Sequence, residues 1–238
     1  MKRLLFILIL IGLLAVPTVL YLPDILVKEP GNFHYYGASA VRIQGIKLEV
    51  IYFAPNDQAP DPEFYEKIKN GLAQAQAFHS REFKGLNPLR YSIYSAPVIG
   101  NEPSVFYEGD DTARGNPGAI KKLVAEIGRR VYNPEGDLYD AKFARRGAGE
   151  LPVRVFVYQG VGASSGVLSV IVAYDYFTKT NYAPTVIYHE LLHTIGVPDA
   201  YDYDTNASQS DDIMGSGREK LLLETYIRDE IKEKLTGL

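Results

Sequence analysis

The chain has 238 residues and a formal charge of −4, from 25 basic and 29 acidic side chains. That mildly acidic balance, without a basic block, excludes an electrostatic footprint for nucleic acid, and no nucleic-acid partner is expected. Cysteine is absent, which excludes a disulfide framework, a thiolate metal site and a lipid-anchored cysteine.

After Met1-Lys2-Arg3, an apolar run extends from Leu4 to Leu22 and is interrupted only by Gly12, Pro17 and Thr18. That is close to the ~20 residues that cross a bilayer as a helix. The run ends in VLYLPDIL, without a small-x-small cleavage site. Residues 1–22 are therefore predicted to be an uncleaved signal anchor, a single transmembrane helix. A cleaved secretory signal is the alternative, and would make the protein secreted. Lys2 and Arg3 hold the N-terminus on the cytoplasmic side and put the rest outside. Residues 23–45, with Pro30, Gly31, Asn32 and Gly37, read as a stalk or linker, and its lone His34 as a surface residue. Residues 46–238 are long enough for one domain with its own core.

Within that domain, Ile46–Phe53 (IKLEVIYF) has strand character. A helix is expected from Asp61-Pro62 to about Phe83, with Ile68, Leu72, Ala75 and Phe78 on its buried stripe and His79 beside them. Tyr91–Ile99 reads as a strand. Ala119–Val131 reads as a second helix with Ile120, Leu123, Val124 and Ile127 on one face. Residues 132–150 read as a long loop. Val153–Tyr158 and Leu168–Tyr174 read as two further strands. The intervening GVGASSG has Ser165 where a dinucleotide loop needs its last glycine, and it leads into a strand. A hairpin turn is the expected reading.

Ala183-Pro184 opens a helix that is apolar round most of its circumference, with Val186, Ile187, Leu191, Leu192 and Ile195. It carries His189-Glu190-x-x-His193, followed by Gly196 and Asp199. Residues four apart share a helix face, so the two imidazoles can aim at one point. Buried histidines need partners, and a metal ion supplies them. Neutral imidazole suits Zn²⁺, and a catalytic zinc site has three protein ligands and one open position. Glu190 is the expected general base. Gly196 lets the chain leave the helix and bring Asp199 back as the third ligand. Asp202 ranks second for that role, as a loop residue within reach, and Glu224 third, as a glutamate from a later segment. Glu219 and Glu224 both lie in a charged amphipathic stretch that favours a solvated role. Asp202, Asp204 and Asn206 at alternate positions hint at Ca²⁺. Ala207 and Ile213, however, stand where an EF-hand loop has glycine and glutamate, so calcium is only a minor alternative. Gly217–Leu238 is expected as a closing amphipathic helix.

The stretch Tyr188–Met214, with HELLHTIGVPD and then DDIM, resembles the extended zinc motif of the metzincin metalloproteases. An aspartate in place of the usual third histidine is similar to the snapalysin-like branch, and GVPDAYD to the immune inhibitor A-like peptidases. The resemblance implies that Met214, the only methionine besides the initiator, forms a Met-turn. It implies an α+β fold, a metzincin-like zincin domain with a mixed twisted sheet, a backing helix and a central active-site helix, preceded here by the N-terminal transmembrane helix. It also implies an edge strand near Leu168–Tyr174 that holds extended peptide. Some metzincins use a tyrosine two residues beyond the Met-turn methionine. Ser216 stands there, so that role is absent or passes to Tyr201 or Tyr203.

The expected function is a zinc-dependent endopeptidase, anchored in a membrane and facing outside the cytoplasm, with a protein or peptide substrate. A non-catalytic binding module that keeps the fold, or an amidase acting on cell-wall peptide, are the alternatives.

Overall fold

The structure, a computed structural model, describes residues 43–237 except 85, 87, 109–116, 146, 148, 149 and 203. The apolar segment 1–22, the stalk as far as residue 42, His34 and Tyr203 lie outside the described residues. Among the described residues no helix is long and apolar enough to cross a membrane.

The domain is α+β, built on a mixed sheet with strand order β2-β1-β4-β6-β5. Strand β1 is Ile46–Ala54, β2 Arg90–Ile93, β4 Leu151–Tyr158, β5 Ala163–Gly166 and β6 Ser169–Ala173. The short β3, Val98–Ile99, also pairs with β1. All pairs are parallel except β5 with β6. A parallel sheet is covered on both faces, so its strands are apolar at nearly every position. In β1 the alternate residues Leu48, Val50 and Tyr52 pack on one face against helix α1 (Phe64–Glu82) and helix α4 (Ala183–Thr194). Ile51 and Phe53 point to the other face and meet Ile120, Leu123 and Ile127 of helix α3 (Pro117–Arg130). A one-turn helix, α2 (Ser104–Tyr107), precedes α3. Ile43 heads a short 3-10 turn, Ile43–Gly45, and is itself buried in the core.

Three elements depart from the expected pattern. The strand foreseen over Tyr91–Ile99 is two strands, because Val50 pairs with Ile93 and Phe53 with Val98. Residues 94–97 thus stand opposite residues 51 and 52 and bulge from the ladder, where Pro97 has no N–H to give. The glycine-rich stretch expected as a hairpin turn supplies β5 instead. The turn is the tighter Val167-Leu168, with Gly166 opposite Ser169 and Leu168 at φ 51°. Small residues of low strand propensity are drawn into the sheet by pairing with the apolar β6. The closing helix is short. Two 3-10 turns, Ser216–Glu219 and Leu222–Glu224, come first, and only Asp229–Thr236 forms helix α5. Here the backbone is bonded from outside the segment. Arg81 donates to the carbonyls of Leu223 and Thr225, Ile213 N–H to that of Tyr226, and Ile227 N–H to Glu82 at 3.1 Å. Those bonds hold it extended, with Leu222 and Ile227 as its buried anchors.

Candidate metal centre

Helix α4 is buried along most of its length, with Ile187, Tyr188, Leu191 and Leu192 in the main core. Its first turn contains Pro184, whose missing N–H would be unsatisfied there in any case. Its end is a left-handed cap. Gly196 has φ 97°, its N–H donates to His193 O at 3.0 Å, and Val197 N–H donates to Leu192 O at 3.0 Å. A residue with a Cβ resists that conformation, so the glycine is what lets the chain reverse. The reversal has a second effect: Val197 O lies 2.8 Å from His193 Nδ1 and accepts its proton.

His189 is fixed in the same way from another segment, its Nδ1 donating to Ile213 O at 2.9 Å. With both Nδ1 atoms used as donors, both neutral rings present an Nε2 lone pair to the same point. The two Nε2 atoms are 3.1 Å apart, and Asp199 Oδ1 lies 3.3 Å from that of His189 and 3.1 Å from that of His193. The three side chains are 8%, 5% and 4% exposed, and while neither ring carries a proton on Nε2 the buried Asp199 Oδ1 has no hydrogen-bond donor among the described residues. Three converging lone pairs repel one another unless a cation lies between them. Donors about 2.05 Å from a tetrahedral ion would be separated by about 3.3 Å, so the spacing fits a small divalent metal. His189, His193 and Asp199 are the group of this kind found among the described residues, and they could hold a metal ion.

A proton is the alternative occupant. Burial lowers the pKa of His193, but the hydrogen bond to Asp199 and the charges of Glu190 and Asp199 more than offset it, and the net direction is upward. Burial raises Asp199, and the hydrogen bonds from His189 and His193 outweigh it, holding the carboxyl well below the usual carboxylate range. In the metal-free protein the raised His193 pKa stabilises the fold at low pH, and that contribution is lost as pH rises through it. The depressed Asp199 pKa stabilises above the ordinary carboxylate range and loses its effect on acidification. Metal needs the neutral ring, so protons should compete from a pH above the ordinary imidazole value downward. Chelator-competition titrations across the neutral range should show affinity falling with acidity, and a flat profile would contradict this arrangement.

The segment after Asp199 closes the site. Ala200 N–H donates to Met214 O at 2.7 Å, and Met214 is fully buried in the main core. Asp212, with 0% exposure, accepts from Met214 N–H at 3.0 Å and pairs with Arg228. Its own carbonyl accepts from Gly215 and Gly217, both at 2.9 Å. A Cβ at Gly217 would lie 2.2 Å from Thr225 Oγ1 and 2.4 Å from Asp212 O, so the turn has no room for a side chain. This buried acid set beside Met214 was not foreseen from sequence, since its partner lies sixteen residues on.

Glu190 follows His189 on α4 and is half-buried, and its carboxylate makes no hydrogen bond or ion pair among the described residues. Its charge raises His193, and raises Tyr176 after the larger effect of burial. Tyr176 belongs to a single π-helical turn, Tyr176–Thr180, just before α4. It thus stays a protonated phenol within the field of Glu190, and no sequence signal marked it. Ser216 Oγ donates to Asp211 at 2.7 Å. Tyr201 does reach the triad, with its ring 6.3 Å from that of His189 and inclined by 25°.

The rival ligands are elsewhere. Asp202 is exposed, and its Oδ1 accepts from Asp204 N–H, Thr205 N–H and Thr205 Oγ1 at 2.8–3.0 Å. Those bonds spend it on a turn and lower its pKa. Asn206 Oδ1, the third member of the calcium pattern, accepts from Arg218. Glu224 and Glu219 are exposed, and Glu219 pairs with Arg218 at 3.1 Å. His79 is buried in α1, its Nδ1 2.8 Å from the Tyr188 hydroxyl, and is outside the triad.

Comparison of the chain with models of known protein families and with curated proteins gives no match to either.

Proposed function

We propose that this chain is a zinc-dependent endopeptidase with a metzincin-like zincin domain, carried on a membrane by its N-terminal helix and facing outside the cytoplasm. The observation that carries this reading is the buried, unpartnered Asp199 Oδ1 beside two imidazole lone pairs. Two imidazoles and one carboxylate are a donor set of catalytic zinc sites, and three protein ligands leave a position open. Zinc there supplies Lewis acidity, polarising a carbonyl oxygen and making water acidic enough to yield hydroxide near neutral pH.

The chain's own residues supply the rest. His189, His193 and Asp199 hold the ion. Glu190, free of competing bonds, takes a proton from water as it attacks a peptide carbonyl and returns it to the leaving amine. Strand β5 is the edge of the sheet and is antiparallel to β6. Gly166–Ser169 and Gly162–Ala173 are hydrogen-bonded positions of that ladder, the latter through Ala173 N–H to Gly162 O at 2.9 Å. The alternation therefore turns the N–H and C=O groups of Ala163 and Ser165 away from β6; Ser165 is buried, and the half-buried Ala163 is the position where an extended peptide can pair.

Glu190→Gln tests the reading. It should lower turnover of a peptide substrate by about 10²–10⁴-fold, the usual contribution of a general base, while retaining about one zinc per chain. A binding module would lose nothing on the same change. A cell-wall amidase would lose activity on muropeptide while leaving unmodified protein substrates uncut from the start.

A further inference from the structure

We propose that Tyr201 and Arg218 are positioning residues for the metal, with Arg218 fastening the Tyr201 ring beside His189 and so fixing the plane of that imidazole. The inference rests on the metal-centre reading and adds to it a support that the three ligands do not contain. The bond from His189 Nδ1 to Ile213 O sets one direction in the ring plane and leaves the ring free to tip about that bond. Two aromatic neighbours oppose the tipping. His193 meets it edge-on at 4.6 Å and 85°, and Tyr201 lies nearly parallel at 25°.

Tyr201 is held in turn. Its backbone bridges to Ser208, and Gln209 N–H donates to Ala200 O at 2.7 Å. The Arg218 guanidinium lies 3.7 Å from the centroid of the Tyr201 ring, in cation–π contact. The same guanidinium donates from Nη1 to Gly215 O at 2.8 Å, pairs through Nη2 with Glu219 at 3.1 Å, and donates to Asn206 Oδ1. Asn206 belongs to the Tyr201 loop, and Gly215 follows Met214. One side chain thus ties together the two segments that touch His189, the loop through its ring and the Met214 turn through Ile213. Its own side chain is only 14% exposed. A planar fork that stacks and donates at once is a property of arginine that lysine lacks.

The test uses the full chain in detergent, with Tyr201→Phe, Tyr201→Ala, Arg218→Lys and Arg218→Ala. Zinc affinity is measured by chelator competition, the cobalt-substituted protein by its visible absorption, and the metal-free protein by thermal unfolding. Supports of this kind change metal affinity by about 10–100-fold. Y201A and R218A should each weaken zinc by that factor and shift the cobalt bands, while Y201F keeps both, since the ring remains. R218K should resemble R218A in the cobalt spectrum, and it carries the comparison should R218A fail to fold. Wild-type affinity and cobalt bands in Y201A and R218K, with only the metal-free unfolding temperature lowered, would overturn the proposal and leave a mere loop clamp. A wild-type chain that takes up no zinc is a different result, and removes the metal-centre reading together with this one.

Discussion

Replacing Asp199 by alanine is expected to abolish stoichiometric zinc, with an affinity loss beyond the about 10–100-fold typical of changes one layer further out. Asp199 is the only anionic member of the triad, and its side chain is 4% exposed among two neutral rings. Without it the two imidazoles must hold the ion alone, and the rivals cannot replace it. Asp202 is committed to its turn, and Glu224 is on the surface. The loss should show in elemental analysis and also in stability. At zinc a hundredfold above its dissociation constant, the wild-type chain should gain about 2.7 kcal/mol from binding. D199A should gain little at the same concentration. In the metal-free state D199A forfeits the stability linked to the depressed Asp199 and raised His193 pKa values, so the increment on adding zinc, and not the metal-free stability, is the readout. A D199A chain that keeps one zinc, and loses it on Glu224→Ala, would move the third ligand to the later segment.

Much of this site could be read along the sequence because its grammar is local. His189 and His193 are one helical turn apart, Gly196 sits at the only kind of position that needs φ near 97°, and Asp199 follows within the same reversal. The strands were legible for a similar reason, since IKLEVIYFA passes from alternation at Ile46–Val50 into an unbroken apolar run to Ala54, as a strand covered on both faces does. What escaped was set by distant partners. Ala163–Gly166 has no strand propensity of its own and takes its form from β6. The stretch before Asp229 has helical amphipathicity, but Arg81 and Glu82 of α1 capture its backbone and hold it straight. Arg218 on Tyr201, and Arg228 on Asp212, are meetings of residues more than a dozen positions apart. No pattern within either segment announces them.

The Asp212–Arg228 pair is where that hidden layer should be most costly to disturb. Asp212 is wholly buried, and Arg228, a third exposed, is the cation paired with it. Removing one partner of a buried pair costs about 3–5 kcal/mol, because the other charge is left without compensation. The exposure of Arg228 places Arg228→Ala at the lower end, about 3 kcal/mol. For a domain of this size that is a fall of roughly 6–12 °C in Tm. Asp212→Asn should cost less. An amide oxygen can still accept from Met214 N–H, and the Arg228 charge that remains is a third exposed and still pairs with Glu230 at 3.0 Å. The two variants should also differ at the metal. In R228A a buried, uncompensated Asp212 charge is left in the turn that offers Ile213 O to His189, although the Ile213 N–H bond to Tyr226 O remains, so metal affinity should fall along with stability. In D212N the turn keeps its internal bonds, and affinity should stay near wild type. Calorimetry and zinc competition on the same samples measure both. An R228A chain within about 1 °C of wild type would mean that the pair behaves as an exposed one, which is worth little. The C-terminal segment would then be held by its buried Leu222 and Ile227 and by its bonds with Arg81, Glu82 and Ile213, and the Met214 turn by its own glycine-tight geometry.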